Sequence, residues 1–315
     1  MNFFGPPEIA GVCSATGQKK AGLSIGKLFV LGILAGAYIG FGANLATIIG
    51  CDIAKFFGNG FGQFLFGAVF SVGLMLVVIG GAELFTGNNM FMMIGVLDGS
   101  CSWVDLAKNW IIVWIANFVG SLLLVYIIVG GFYGAGHDGA AKDFWFSGAV
   151  GVKALLIAKG KLSLTWSAAF YRAILCNWLV CMAVWMAVSS KDVVGKVFAI
   201  FFPIMAFVAS GFEHSVANMF FIPIGLEVSH IPALVDAAAK TAVTPDMLPD
   251  AANAATAAFH ASVDKFFNWK QFLLGNLVPV TLGNIVGGAI MVGTVYWYSY
   301  LKKDTAVVED KAVKA

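Results

Sequence analysis

The sequence predicts an all-α polytopic membrane protein with six transmembrane helices, the second and fifth of them broken, and three observations carry that prediction. Of the 315 residues, 60% are hydrophobic and only 11% charged, with a mean hydropathy of +0.87, a balance outside the range of soluble globular domains. Six apolar stretches, at about 28–50, 62–95, 107–130, 165–189, 193–227 and 271–300, reach the roughly 20 residues that a helix needs to cross the hydrocarbon layer. The second and fifth stretches exceed one span, and each carries an acid among Gly-rich polar residues near its middle.

Taken in order, the N-terminal segment 1–27 lacks a cationic start followed by an apolar core, so no cleavable signal peptide is expected. In the first span Gly32, Gly36 and Gly40 make consecutive GxxxG steps, which suit close helix packing and not phosphate binding. The second contains "GAELFTGNNM", the third "ANFVGS" around Asn117, and the fourth buries Asn177 within "LCNWLVCMAVW". A connection of about 35 residues precedes the fourth span. The fifth carries "GFEHSVANMF"; a connection of about 40 residues, whose stretch "VDAAAKTAVTPDMLPDAANAATAAFHASVDKFF" is Ala-rich with two prolines and suited to short surface helices outside the bilayer, leads to the sixth, which holds "GNIVGG" around Asn284. A charged tail, 301–315, follows. With six spans both termini share a side, and that side carries ten lysines against eight on the other. Long loops escape the positive-inside rule, so both termini are expected in the cytoplasm. The net charge of +2 from scattered lysines gives no case for nucleic acid. Five cysteines without CxxC or Cys/His spacing suggest neither a disulfide framework nor zinc.

The two long stretches resemble each other. Gly81 and Gly211, Glu83 and Glu213, and Asn88 and Asn218 match at an offset of 130, and the motifs at Asn117 and Asn284 form a second pair. The channel domain, 28–300, therefore divides into halves at about 28–130 and 165–300, and three helices followed by three give an inverted repeat. A helix break in lipid survives only inside protein or beside water, so both breaks are expected to face inward. Glu83 and Glu213 are expected to brace their loops by accepting freed backbone N–H groups. Thr86 and Ser215 stand where a half-helix restarts, open to an N-cap role or to ligand contact. Such helix ends direct positive dipoles inward and favour an anion. His214 is an intramembrane ionisable residue, hence a functional candidate, and its counterpart in the other half is Leu84. Asn177 could bond a permeant species or bridge helices. An intramembrane enzyme using Glu213 and His214 is the alternative from another class. A metal would need further ligands, and His137, His230 and His260 fall in loops or at span ends; no metal or cofactor is expected.

"KNWIIVWIANFVG", "ELFTGN", "ILCNWLVCMAVWM", "ASGFEHSVANMFFIPIG" and "NLVPVTLGNIVGG" closely resemble, in order and spacing, the formate/nitrite transporter family, most of all its formate channels. The resemblance implies an aquaporin-like fold in a homopentamer within a lipid membrane, with one anion path per protomer. Residue by residue, it makes Thr86 the threonine of an omega-shaped loop, His214 a central histidine and Asn177 the asparagine facing it. Leu74, Leu84, Phe85 and Val180 match positions near an inner constriction, Phe70 and Phe207 match aromatic pore positions, and Lys20 and Lys161 match vestibule lysines that attract anions. "GNN" at Gly87 to Asn89 departs from the hydroxyl-rich run of some formate channels, which bears on the resting position of that loop. The function implied is pH-dependent or proton-coupled transport of a small weak-acid anion, formate first, with nitrite, hydrosulfide, acetate or lactate as alternatives. An isolated carboxylate would pay tens of kcal/mol in an apolar slit on a Born estimate, whereas protonating an acid of pKa about 3.5 at neutral pH costs about 5 kcal/mol. In this reading the lysines concentrate the anion and His214 supplies or relays the proton.

Overall fold

A computed structural model describes residues 3–133 and 148–303. Its ordered structure is helical throughout those residues, apart from one isolated bridge between Phe3 and Ser190. Helix α1 (Pro6–Ala21) opens with Pro at its first turn, where the missing N–H is no loss, and packs on the helix Phe85–Leu97. Ser24 caps α2 (Ile25–Ile49). Helix α3 (Ile53–Gly80) kinks at Gly58 and stops where Gly81 turns left-handed at φ 84°. After residues 82–84, α4 (Phe85–Leu97) begins, followed by α5 (Trp103–Tyr133).

The second half holds α6 (Ala149–Leu162), α7 (Trp166–Ser189) and α8 (Val193–Ala209). The chain leaves helical geometry at 210–214, with Gly211 left-handed at φ 71°, and resumes as α9 (Ser215–Ser229). Two short helices, α10 (Pro232–Lys240) and α11 (Pro249–Phe266), fill the Ala-rich connection. The last helix, α12 (Gln271–Tyr300), contains two π-helical stretches, Gln271–Leu277 and Val286–Thr294. Helices α2, α3, α5, α7 and α12 are each long and apolar enough to cross a membrane. The chain is thus an integral membrane protein by length and composition of its helices.

Small residues let the backbones approach. A Cβ on Gly36 would overlap the Asn117 carbonyl, and one on Gly120 would overlap that of Ile33, so the glycine stripe of α2 lies directly against α5. Two elements differ from the sequence expectation. The connection before the fourth span is not wholly a loop: α6 buries Val150, Ala154, Leu155, Ala158 and Leu162 at helical spacing. Three lysines and a length of 14 residues keep it out of any membrane-length hydropathy window. The second apolar stretch also begins earlier, at Ile53. His137 and the tail beyond Lys303 lie outside the described residues.

Candidate functional site: a buried polar pair between two cavities

Two asparagines hold the chain where it leaves helical geometry. Asn117 on α5 accepts a hydrogen bond from the Phe85 N–H at 2.9 Å and donates to the Gly32 and Glu83 carbonyls at 2.8 and 2.9 Å. Asn284 on α12 repeats this: it accepts from the Ser215 N–H at 2.8 Å and donates to the Ala173 and Glu213 carbonyls at 2.8 and 3.0 Å. Both are fully buried, and each meets one orphan donor and one orphan acceptor where α4 or α9 begins. The loop-holding role expected of the glutamates therefore falls to these side chains.

The carboxylates do something else. Glu83 accepts from Lys20 Nζ at 2.7 Å and Asn88 Nδ2 at 2.8 Å. Glu213 accepts from Lys161 Nζ at 2.9 Å and Asn218 Nδ2 at 2.6 Å. Asn109 and Asn276, which sequence reasoning passed over, accept the second proton of Asn88 and Asn218 at 2.9 and 2.8 Å. Neither carboxylate takes a freed backbone N–H, because a lysine brings a full charge to a site where an unpaired carboxylate would be costly. Lys20 and Lys161 are consequently not free cations.

His214 occupies the N-cap of α9. Its Nδ1 accepts from the Ala217 N–H at 3.0 Å, and its Nε2 lies 3.0 Å from Thr86 Oγ1. Because Nδ1 is an acceptor, a neutral imidazole here carries its proton on Nε2 and donates it to Thr86. The Thr86 hydroxyl proton then has no acceptor among the described residues. His214, and not Ser215, is thus the cap; the Ser215 hydroxyl is buried without a partner among the described residues. Thr86 faces His214 and caps nothing, since α4 has Leu84 at its N-cap and no side-chain bond there. Asn177 does not bond His214. It donates to the carbonyls of Thr86 and Asn284 at 3.1 and 2.6 Å and to Asn89 Oδ1 at 3.1 Å, bridging α4, α7 and α12.

A cavity opens on each side of this pair. The first, about 350 Å³, reaches Phe70, Phe207, His214, Glu213 and Lys161 and also exposes Lys153 and Arg172. The second, about 310 Å³, reaches Leu74, Leu84, Glu83 and Lys20 and exposes Lys196. Among the described residues none lines both. Thr86, Asn177, Val180 and Phe85 are buried and line neither; Phe85 packs edge-on against Trp110. An aromatic ladder runs from the first cavity to the pair: Phe66 stacks on Phe221, Phe221 on Phe70, Phe70 meets Phe207 edge-on, and Phe207 stacks on His214 at 5.9 Å. Lys153 and Lys161 sit over Phe66 and Phe221 at 5.7 and 5.5 Å. Burial on α6 lowers the pKa of the Lys153 ammonium. Among the described residues no three His, Cys, Asp or Glu side chains gather around a possible metal position. The arrangement can accept a small anion at either mouth and present it, at the centre, with hydroxyl and imidazole donors in an apolar ring.

Comparison with known proteins identifies the family. The profile of the formate/nitrite transporter family matches residues 7–298. A probable formate transporter of Methanothermobacter thermautotrophicus is 44% identical, covering 96% of this chain and 99% of the relative. The formate channel FocA of Escherichia coli K12 is 34% identical over 95% of each chain. A solved pentameric formate channel with formate bound superposes with a TM-score of 0.67 at 36% identity, covering 88% of this chain and 98% of that one. These relatives are channels and transporters, not enzymes. The chain belongs to the formate/nitrite transporter family.

Proposed function

We propose that the protein carries small monovalent weak-acid anions, formate foremost, through each protomer, with a proton taken up near His214. The observation that carries this reading is the buried Thr86–His214 contact at 3.0 Å, placed between two cavities that share no wall. An anion arriving there exchanges water for an apolar ring, so its cheapest passage is as the neutral acid. Protonation transfers one proton to formate and leaves formic acid. A neutral His214 cannot be its source by itself, because loss of the Nε2 proton would leave imidazolate. The donor is then an imidazolium, formed when Nδ1 leaves the Ala217 N–H and takes a proton from water, so that His214 relays that proton to the anion through Nε2.

The matched breaks and asparagine clamps support an aquaporin-like inverted 3+3 repeat over 28–130 and 165–300, with broken second and fifth spans. The pentameric relative supports a homopentamer in the lipid bilayer. Both termini, segment 1–27 and tail 301–315, are assigned to the cytoplasm of a bacterial inner membrane. Thr86, His214 and Asn177 form the central path and its frame. Leu74, Leu84, Phe70 and Phe207 narrow it, with Val180 and Phe85 packed behind. Stopped-flow uptake into proteoliposomes, comparing formate, nitrite, hydrosulfide, acetate and lactate across pH, tests the reading. Formate flux that rises as pH falls supports it; no flux of any of these anions overturns it.

A further inference from the structure

The lysines that best match anion-attracting positions are already neutralised. Lys161 is 2.9 Å from Glu213, and Lys20 is 2.7 Å from Glu83. Long-range attraction depends on net charge, and a tight ion pair has almost none beyond its own length. The cations that remain are different ones. In the first cavity Lys153 and Arg172 reach the lining, and among the described residues Glu213 is the only carboxylate there. Neither Lys153 nor Arg172 has a carboxylate within salt-bridge distance among the described residues. Among the described residues, three cations against one carboxylate leave a surplus of two positive charges at this mouth. The second cavity, with Lys20 and Lys196 against Glu83, has a surplus of one. Lys153 is held at the outer rung of the aromatic ladder over Phe66, and Lys161 follows at the next rung over Phe221.

We propose that Lys153 and Arg172 are the residues that concentrate anions at the first cavity, and that Lys161 serves there as the counter-ion of Glu213. This rests on the transport reading above, and it concerns entry, not passage of the centre. The low-dielectric aromatic wall keeps the field of the unpaired cations from spreading into protein and directs it into the mouth. Their effect is therefore strongest at low ionic strength and fades as the screening length falls from roughly 30 Å at 0.01 M to 3 Å at 1 M.

The local potential can be read without transport. A cysteine is placed at Asn59, an exposed residue of the cavity lining, in a background with Cys51→Ser. Its rates of reaction with a sulfonate-bearing and a trimethylammonium-bearing methanethiosulfonate are compared in reconstituted protein. The ratio of anionic to cationic rates should fall about tenfold in the Lys153→Gln, Arg172→Gln double variant at about 0.01 M salt, and converge with the parent near 1 M. Lys153→Arg should retain the parent ratio. Formate uptake by the double variant should fall about fivefold at low salt and less than twofold at high salt. An unchanged reagent ratio in the double variant overturns the proposal, whatever the flux. A tenfold change of ratio in a protein that carries no formate upholds the charge assignment and overturns the transport reading instead.

Discussion

Removal of Lys161 should behave as loss of a structural counter-ion. Its ammonium lies 2.9 Å from Glu213 Oε1, with side-chain exposures of 15% and 5%. Lys161→Ala leaves a buried carboxylate facing only the Asn218 amide at 2.6 Å, and breaking one side of a buried pair costs about 3–5 kcal/mol. Glu213→Gln in the same chain removes the stranded charge while an amide oxygen can still accept from Asn218, so the double variant should recover about 2–3 kcal/mol. Unfolding of the detergent-solubilised protein, followed by intrinsic tryptophan fluorescence in a denaturant series, measures both. Formate flux of the Lys161→Ala, Glu213→Gln double variant, which leaves the net charge of the mouth unchanged, should keep the wild-type dependence on salt between about 0.01 M and 1 M. A single variant as stable as wild type, or a flux loss confined to low salt in the charge-neutral double variant, would refute the reasoning and return Lys161 to anion attraction.

Asn117→Leu fills the same space but strands the Phe85 N–H and two carbonyls, so it should lower stability by about 2–5 kcal/mol in the same assay. Ser121→Ala, which loses one bond to the Gly36 carbonyl, should cost about 0.6 kcal/mol; equal losses would contradict the clamp. His214→Ala should lose about 1 kcal/mol of α9 capping while His214→Asn, whose Oδ1 can accept from Ala217, keeps most of it, as read from thermal midpoints. Gly36→Val must push α2 off the Asn117 carbonyl and should cost about 1–3 kcal/mol or more, visible as a lower melting temperature and poorer recovery from membranes.

The hydropathic stretches were legible because membrane helices must be long and apolar along their length. Helix α6 was not, because its 14 residues and three lysines bury only one stripe. The offset of 130 located Glu83, Asn88, Glu213 and Asn218, yet their partners could not be read from it. Lys20 and Glu83 are 63 residues apart, and Lys161 and Glu213 are 52 apart; charge alone does not say which lysine folds onto which acid. The motifs at Asn117 and Asn284 were visible as a pair, but their role depends on backbone groups of α2 and α7 brought beside the breaks by tertiary packing. His214 was legible as a buried ionisable group. Its cap to Ala217 N–H follows the helix-start rule with imidazole in place of a hydroxyl, a substitution that rule does not anticipate.

The central claim is that His214 relays the proton that joins the anion. His214→Asn keeps the N-cap and a donor toward Thr86 but cannot relay a proton, so the fold should persist. Formate-driven pH change inside liposomes and formate current across a planar bilayer, measured on this variant at about pH 5 and pH 7, test the claim most directly. The account predicts that proton-coupled formate entry collapses and loses its pH dependence while a residual anion current remains. Proton coupling unaltered in a folded His214→Asn protein would contradict it, leaving His214 as a lining donor and water as the proton source.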